Sequence, residues 1–360
     1  MQNGQFYRGK RRKQHPVLSY IIIALVVILA LAIFIFCALK KYIVYTQDGI
    51  SVEFPILKEE STPGDLTEAD ITDDNLVVGE ADYSDVSTNA GSDLEAIKAI
   101  YIPYSNVTVD YVASRVESMT EANTVILQLK PANGQLVWNS TVSLASSYNL
   151  NGTVDIEEVI NSAKEAKEDV YLVADLSALI DTMMVSRNYP QSLQTVDGSS
   201  YSDGNGSWIN PYSSDMRNYL ADLANELIGY GFDEILFSNV VAPEVSDDTL
   251  NYGQSNNSSE AAITSFSLYM YRTLQSTGAK ISVVGTRTAL SGSDNNLNGQ
   301  DIETLCKIYD RIYCYTDTDS YEIYSDNVAS YITVGDVDTR FVPMVSSSGD
   351  IPESESWALY

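Results

Sequence analysis

Residues 170–176 read VYLVADL and residues 234–238 read EILFS, and between them Met216, Leu220, Leu223 and Leu227 recur at helical spacing. Short apolar runs without polar alternation suit strands covered on both faces, and a crossover helix between two such runs makes the strands parallel. The same rhythm extends in both directions. Strands are predicted at 99–103, 124–129, 170–176, 234–238, 280–285, 311–315 and 341–345, with 357–360 as a possible eighth. Seven or eight strands within residues 93–360 suit one closed parallel TIM-type (β/α) barrel, an α/β fold.

The helices carry their own start signals. Asp155 precedes Ile156-Glu157-Glu158 and can cap a helix there. Asp215 falls in the first turn of the helix carrying Met216 to Leu227, where negative charge meets the positive end of the helix dipole. Ile263, Phe266, Met270 and Leu274 form a comparable stripe in the next helix. An open doubly wound sheet is the competing fold. It usually carries a glycine-rich phosphate turn after its first strand, and residues 101–109 offer none.

Upstream of the barrel the composition changes sharply. Residues 17–39 form 23 residues with no Asp, Glu, Lys, Arg or His, which as a helix is long enough to cross a bilayer. Phe34, Ile35 and Phe36 stand where a cleaved signal peptide would have small residues, so an uncleaved anchor is expected. Arg8, Lys10, Arg11, Arg12 and Lys13 lie before it, while Lys40 and Lys41 follow it and then acid dominates. The positive-inside rule therefore places residues 1–16 as a cytoplasmic tail and everything after residue 39 outside a cell membrane. Residues 40–92, rich in Asp, Glu, Ser and Thr, read as an extended acidic linker, with a small hairpin near 51–57 as the alternative.

Of the 360 residues, 49 are Asp or Glu and 21 are Lys or Arg, a formal charge of −28. Beyond residue 41 the ratio is 49 acids to 14 cations, a formal −35 that repels polyanions and excludes a general nucleic-acid binder. The one histidine, His15, belongs to the tail. The barrel therefore cannot build Ser-His-Asp or Cys-His catalysis from its own residues, and its acid–base work must use carboxylates, Tyr, Lys or water. No cofactor and no metal is expected. Asp294-x-Asn296-x-Asn298-Gly299 begins like a calcium loop, but Leu305 stands where the bidentate acid belongs. Cys306 and Cys314 could bridge, although two packed thiols fit equally well with their places on a helix and the next strand.

Barrel chemistry collects at the carboxyl ends of strands. The candidates there are Gln128 and Lys130, Asp175, Ser238 and Asn239, Thr286 and Arg287, Asp317 and Asp319, and Ser346. Glu244 lies just past the fourth strand, while Asp233 and Glu234 begin that strand and belong to the far face. The longest insertion, 177–214, holds Tyr189, Tyr201, Trp208 and Tyr212 among Gly, Ser, Asn and Asp. Aromatic faces ringed by polar groups suit a sugar, and they equally suit a loop pinned by its own rings.

Several stretches resemble a known family. Trp208-Ile209-Asn210-Pro211-Tyr212-Ser213, then Gly231-Phe232-Asp233-Glu234-Ile235, then Phe237-Ser238-Asn239-Val240-Val241-Ala242-Pro243 resemble the glycosyl-hydrolase-like barrel family long filed as a domain of unknown function. Ile126-Leu127-Gln128-Leu129-Lys130 resembles its second strand. The family pattern has carboxylates where this chain has Gln128 and Ser238, a Tyr at Asn239 and an Arg at Val241. The resemblance implies a carbohydrate-directed barrel whose catalytic acids are partly replaced. A glycosidase needs two carboxyl groups about 5–5.5 Å apart for retention or roughly 6.5–9.5 Å for inversion. Asp175 with Asp317 or Glu244 is the substitute pair, and Lys130, Trp208, Tyr212, Asn239 and Arg287 are the expected substrate contacts. The expected ligand is a cell-surface or environmental polysaccharide, taken either by a hydrolase or by an inactive barrel that binds glycan or an envelope partner.

Overall fold

The computed structural model describes residues 43–46, 49–52, 90–254, 258–293 and 297–360. The expected membrane helix at 17–39 and most of the acidic linker lie outside those residues; among the described ones, no helix is long and apolar enough to cross a membrane. Within the region read as linker, Ile43–Thr46 pairs antiparallel with Gly49–Val52. That hairpin lies upstream of the 51–57 position expected for one.

Eight parallel strands close into a barrel in sequence order. They are β1 (Lys98–Ile102), β2 (Thr124–Lys130), β3 (Tyr171–Ser177), β4 (Glu234–Ser238), β5 (Lys280–Val284), β6 (Ile312–Tyr315), β7 (Phe341–Val345) and β8 (Trp357–Leu359). Closure is made by β8 on β1, with Ala358 opposite Ala99. Every expected strand is present within one or two residues, including the eighth, so the doubly wound alternative falls. The register slips between Gln128 and Lys130 against β3. That irregularity carries β2 on to Lys130, one residue past the expected end.

The principal helices are α1 (Val109–Glu117), α2 (Ile156–Ala166), α3 (Ser214–Tyr230), α4 (Ser259–Leu274), α5 (Ile302–Ile308) and α6 (Thr318–Tyr331). Asp155 caps α2 by accepting from the Glu158 amide, and Ser213 caps α3 by accepting from Met216. Gly231 ends α3 at φ 109°, a conformation that L side chains rarely adopt. The stripes Met216, Leu220, Leu223, Leu227 and Ile263, Phe266, Met270, Leu274 are all buried against the outer faces of the strands. Burying each such side chain contributes roughly 1.5–3 kcal/mol.

Inside the barrel, Ala99, Ile126, Val173, Leu236, Tyr313, Val342 and Ala358 fill the middle. At the amino-terminal end of the strands, Glu234 is fully buried and ion-paired with Arg311, and it accepts from Tyr313 Oη at 2.8 Å and Tyr171 Oη at 3.0 Å. The chain leading into β1 crosses this floor. Gly91 N donates to Asp310 Oδ1 at 2.9 Å, Lys280 Nζ to the Ser92 carbonyl at 3.0 Å, and Arg311 Nη2 to the Glu95 carbonyl at 2.7 Å. Ala90, the first described residue of the segment leading into β1, is buried. Cys306 and Cys314 are buried free thiols, as the packed-thiol alternative has it.

Candidate functional site

Alternation along the strands sends Tyr101, Gln128, Asp175, Ser238 and Tyr315 toward the barrel axis near its carboxyl end. Asp175 is 2% exposed, and the other four are half-buried around it. Tyr101 Oη donates to Asp175 Oδ2 at 2.7 Å, and Ser238 Oγ donates to Oδ1 at 2.6 Å. Burial raises the Asp175 carboxyl to about 6, against the downward pull of the Ser238 and Tyr101 hydroxyls and of the Lys130 charge. Tyr101 and Tyr315 are pushed upward by burial first and then by the Asp175 charge. Gln128 Oε1 accepts from the Tyr104 amide at 3.1 Å, and the Tyr315 ring meets Tyr360 edge-on at 4.9 Å. The result is a protonatable carboxyl under a collar of phenols, a hydroxyl and an amide, able to exchange hydrogen bonds with hydroxyl-rich ligands.

The other expected acids stand elsewhere. Asp317 caps α6 by accepting from the Ser320 amide at 2.9 Å, and hydrogen bonds from the Ser320 hydroxyl first and then its amide lower the carboxyl's pKa. Its carboxylate faces Arg287 Nη1 at 3.9 Å, with both side chains more than half exposed. Arg287 Nε also donates to the Tyr315 carbonyl at 2.7 Å. Glu244 is exposed and lines a separate hollow of about 160 Å³ with Trp208, Tyr201, Asp203, Thr286 and Asn298. Among the described residues no hydrogen bond or ion pair joins Asp317 or Glu244 to Asp175, and neither perturbs its titration. Trp208 and Glu244 are thus brought together; Asp175 is with neither.

The expected substrate contacts are also placed. Lys130 is fully buried, 3.0 Å from Asp181 Oδ2, and donates to the Ser177 carbonyl at 2.9 Å. Trp208 is 2% exposed and packs with Ile180, Leu193 and Leu250 in the core of the insertion. Its faces are covered, so it pins the loop. Tyr212 is half-buried beside that cluster with the Arg217 guanidinium 5.4 Å from its ring centre. Asn239, at φ 53°, donates from Nδ2 to Ser177 Oγ at 2.9 Å.

Three participants escaped sequence reasoning. Tyr101 and Tyr315 lie on the strands, not after them, and the period-two alternation with Ala99 and Tyr313 was the signal that places them inside. Asp181, which neutralises Lys130 and caps the turn Thr182–Ser186, had no such signal because its partner lies about fifty residues away. No group of three or more His, Cys, Asp or Glu gathers to hold a metal among the described residues. Asn298 is buried and donates to Thr286 Oγ1 at 2.9 Å, while Asp294 and Asn296 lie outside the described residues.

A closed barrel of eight parallel strands with helices between them is a TIM-type α/β barrel. Residues 99–322 match the family described as "Putative glycosyl hydrolase domain", and the chain belongs to that family. Among solved structures, the glycoside hydrolase domain of PgaB (BpsB) from Bordetella bronchiseptica superposes with a TM-score of 0.56 at 11% identity, over 74% of this chain and 94% of that one. A hypothetical protein from Ruminiclostridium thermocellum gives 0.46 at 21% identity, over 51% of this chain and 96% of that one. A chitinase from Chromobacterium violaceum gives 0.39 at 15% identity, over 69% of this chain and 68% of that one. No curated protein matches the sequence.

Proposed function

We propose that this chain is a membrane-anchored, extracytoplasmic barrel that binds a cell-surface or environmental polysaccharide at its mouth without hydrolysing it. The observation that carries this reading is the company of Asp175: two hydroxyl donors and, among the described residues, no second carboxylate bonded to it. The common retaining and inverting routes of glycoside hydrolysis use a pair of acids. Family membership supports a sugar ligand, and residues 17–39 with the cations before them support the anchor and its orientation. One observation favours a second reading. A carboxyl raised to about 6 suits a general acid near neutral pH, so Asp175 would protonate a leaving oxygen in a hydrolase that draws its other acid from the rim, from Glu244 or Asp317.

The test uses the full chain in detergent micelles with a panel of polysaccharides and their oligosaccharides. Binding without release of reducing ends is expected, weakened about tenfold or more by Tyr315→Ala or Gln128→Ala. Reducing-end release abolished by Asp175→Asn would establish the hydrolase instead. Protease added to intact cells should remove a C-terminal tag; a protected tag would overturn the orientation.

A further inference from the structure

Resting on the reading of a polysaccharide ligand, we infer that a groove between the β3–α3 insertion and the loop after β4 is a second subsite, built for an uncharged stretch of sugar chain. The groove has a volume of about 330 Å³, within the range of roughly 300–1,000 Å³ typical of small-molecule sites. In a chain that is 19% charged, none of the residues lining it is charged. Five side-chain amides line it instead: Gln191, Gln194, Asn210, Asn251 and Gln254. An amide carries two donors and an acceptor, the complement of a sugar hydroxyl, which does both; Gln191 spends one donor on Asp215 Oδ2 at 2.9 Å, and Asn251 Oδ1 accepts from the Gly253 amide at 2.9 Å.

The geometry aims two of these amides at the groove. Gln194 and Asn251 are directly opposed partners in a two-stranded antiparallel ribbon that joins the two walls. Opposed partners share one face of the ribbon, so the two amides lie side by side. The next pair, Thr195 with Leu250, faces the other way, and Leu250 is fully buried in the core of the insertion. The apolar side of the ribbon is therefore spent on packing and the amide side on the groove. Tyr212 supplies an aromatic wall, the usual complement of the apolar face of a pyranose.

The walls are also fixed in place. Asn210 Nδ2 donates to the Tyr252 carbonyl at 3.0 Å and its Oδ1 accepts from the Tyr212 amide at 3.0 Å. One side chain of the Trp208–Ser213 motif thereby ties the insertion to the loop after β4. A site preformed in this way loses little ordering entropy when a ligand enters. No charged side chain lines the groove itself, the nearest carboxylate named being that of Asp215, which accepts from Gln191 Nε2 at 2.9 Å, and a polyanion would meet the repulsion of a chain whose formal charge is −28.

The experiment titrates the full chain with neutral hexasaccharides (cellohexaose, mannohexaose, N-acetylchitohexaose) and with two charged ones, hexagalacturonate and chitosan hexamer. A neutral hexasaccharide is expected to bind, Asn251→Ala combined with Gln194→Ala to weaken it about tenfold or more, and hydrogen exchange to slow in residues 190–196 and 250–254. A melting temperature within a degree or two of the parent separates lost contacts from lost folding. Neutral binding that is indifferent to the two substitutions yet lost in Tyr315→Ala would overturn the groove and leave the mouth intact. Neutral binding lost in the groove variant but indifferent to Tyr315→Ala and Gln128→Ala would do the reverse. Preference for either charged hexamer, or no binding of any neutral one, would overturn the groove as well.

Discussion

Asp175→Asn should change stability in a pH-dependent way, and the size of the change follows from its burial. The folded carboxyl titrates at about 6 and the unfolded one at its ordinary value of 3.8. The folded state therefore binds the proton more tightly, so stability is gained as pH falls through 6 and is lost again as pH rises through it. Applied to this one group, the linkage relation gives a contribution of about 2 kcal/mol near pH 4.5 that falls to almost nothing near pH 7.5, with the full difference of roughly 3 kcal/mol reached only below pH 3.8. The side chain is 2% exposed, so solvent screening removes little of this. Asparagine cannot titrate, but it can still meet the hydroxyls of Tyr101 and Ser238, which accept as well as donate. Urea unfolding of parent and variant at about pH 4.5, 5.5, 6.5 and 7.5 measures the difference directly and cancels the other acids. The variant should gain on the parent by about 2 kcal/mol between the lowest and highest pH. A difference that stays flat within about 0.5 kcal/mol would refute the picture of a desolvated acid.

At the barrel floor, Arg311→Met leaves Glu234 charged and buried, and should cost about 3–5 kcal/mol in urea unfolding; Glu234→Leu added to it should restore much of that loss. Gly134 lies at φ 90° with the Asp181 carboxylate against the place a Cβ would occupy, so Gly134→Ala should cost about 2–4 kcal/mol, read as a lower urea midpoint at unchanged slope. Burial pushes the Cys306 and Cys314 thiols up to about 12, so neither should react with a disulfide reagent until urea unfolds the barrel, and reductant should leave the melting temperature unchanged.

The strands were legible because parallel strands covered on both sides read as near-continuous apolar runs, and the helices because their buried stripes and caps are local. What the sequence hid was long-range. Glu234 opens its strand and resembles a turn residue, yet alternation with Leu236 and Ser238 turns it inward to Arg311, a partner 77 residues away. Trp208 sits in a polar insertion and suggests an open stacking face; Leu193 and Leu250 cover it from two separate segments. Asp317 ends a strand as a rim acid should, but the helix that follows takes its carboxylate as a cap. Asp175 alone of the expected acids faces inward, because β3 runs two residues past it and its parity points to the axis.

The carbonyls of Ser92 and Glu95, held by Lys280 and Arg311, fix residues 90–97 to the base of the barrel, on the side opposite the strand carboxyl ends. A pull on residues 90–97 would therefore load the charged side chains at the base before it reached Asp175 and the phenols at the other end.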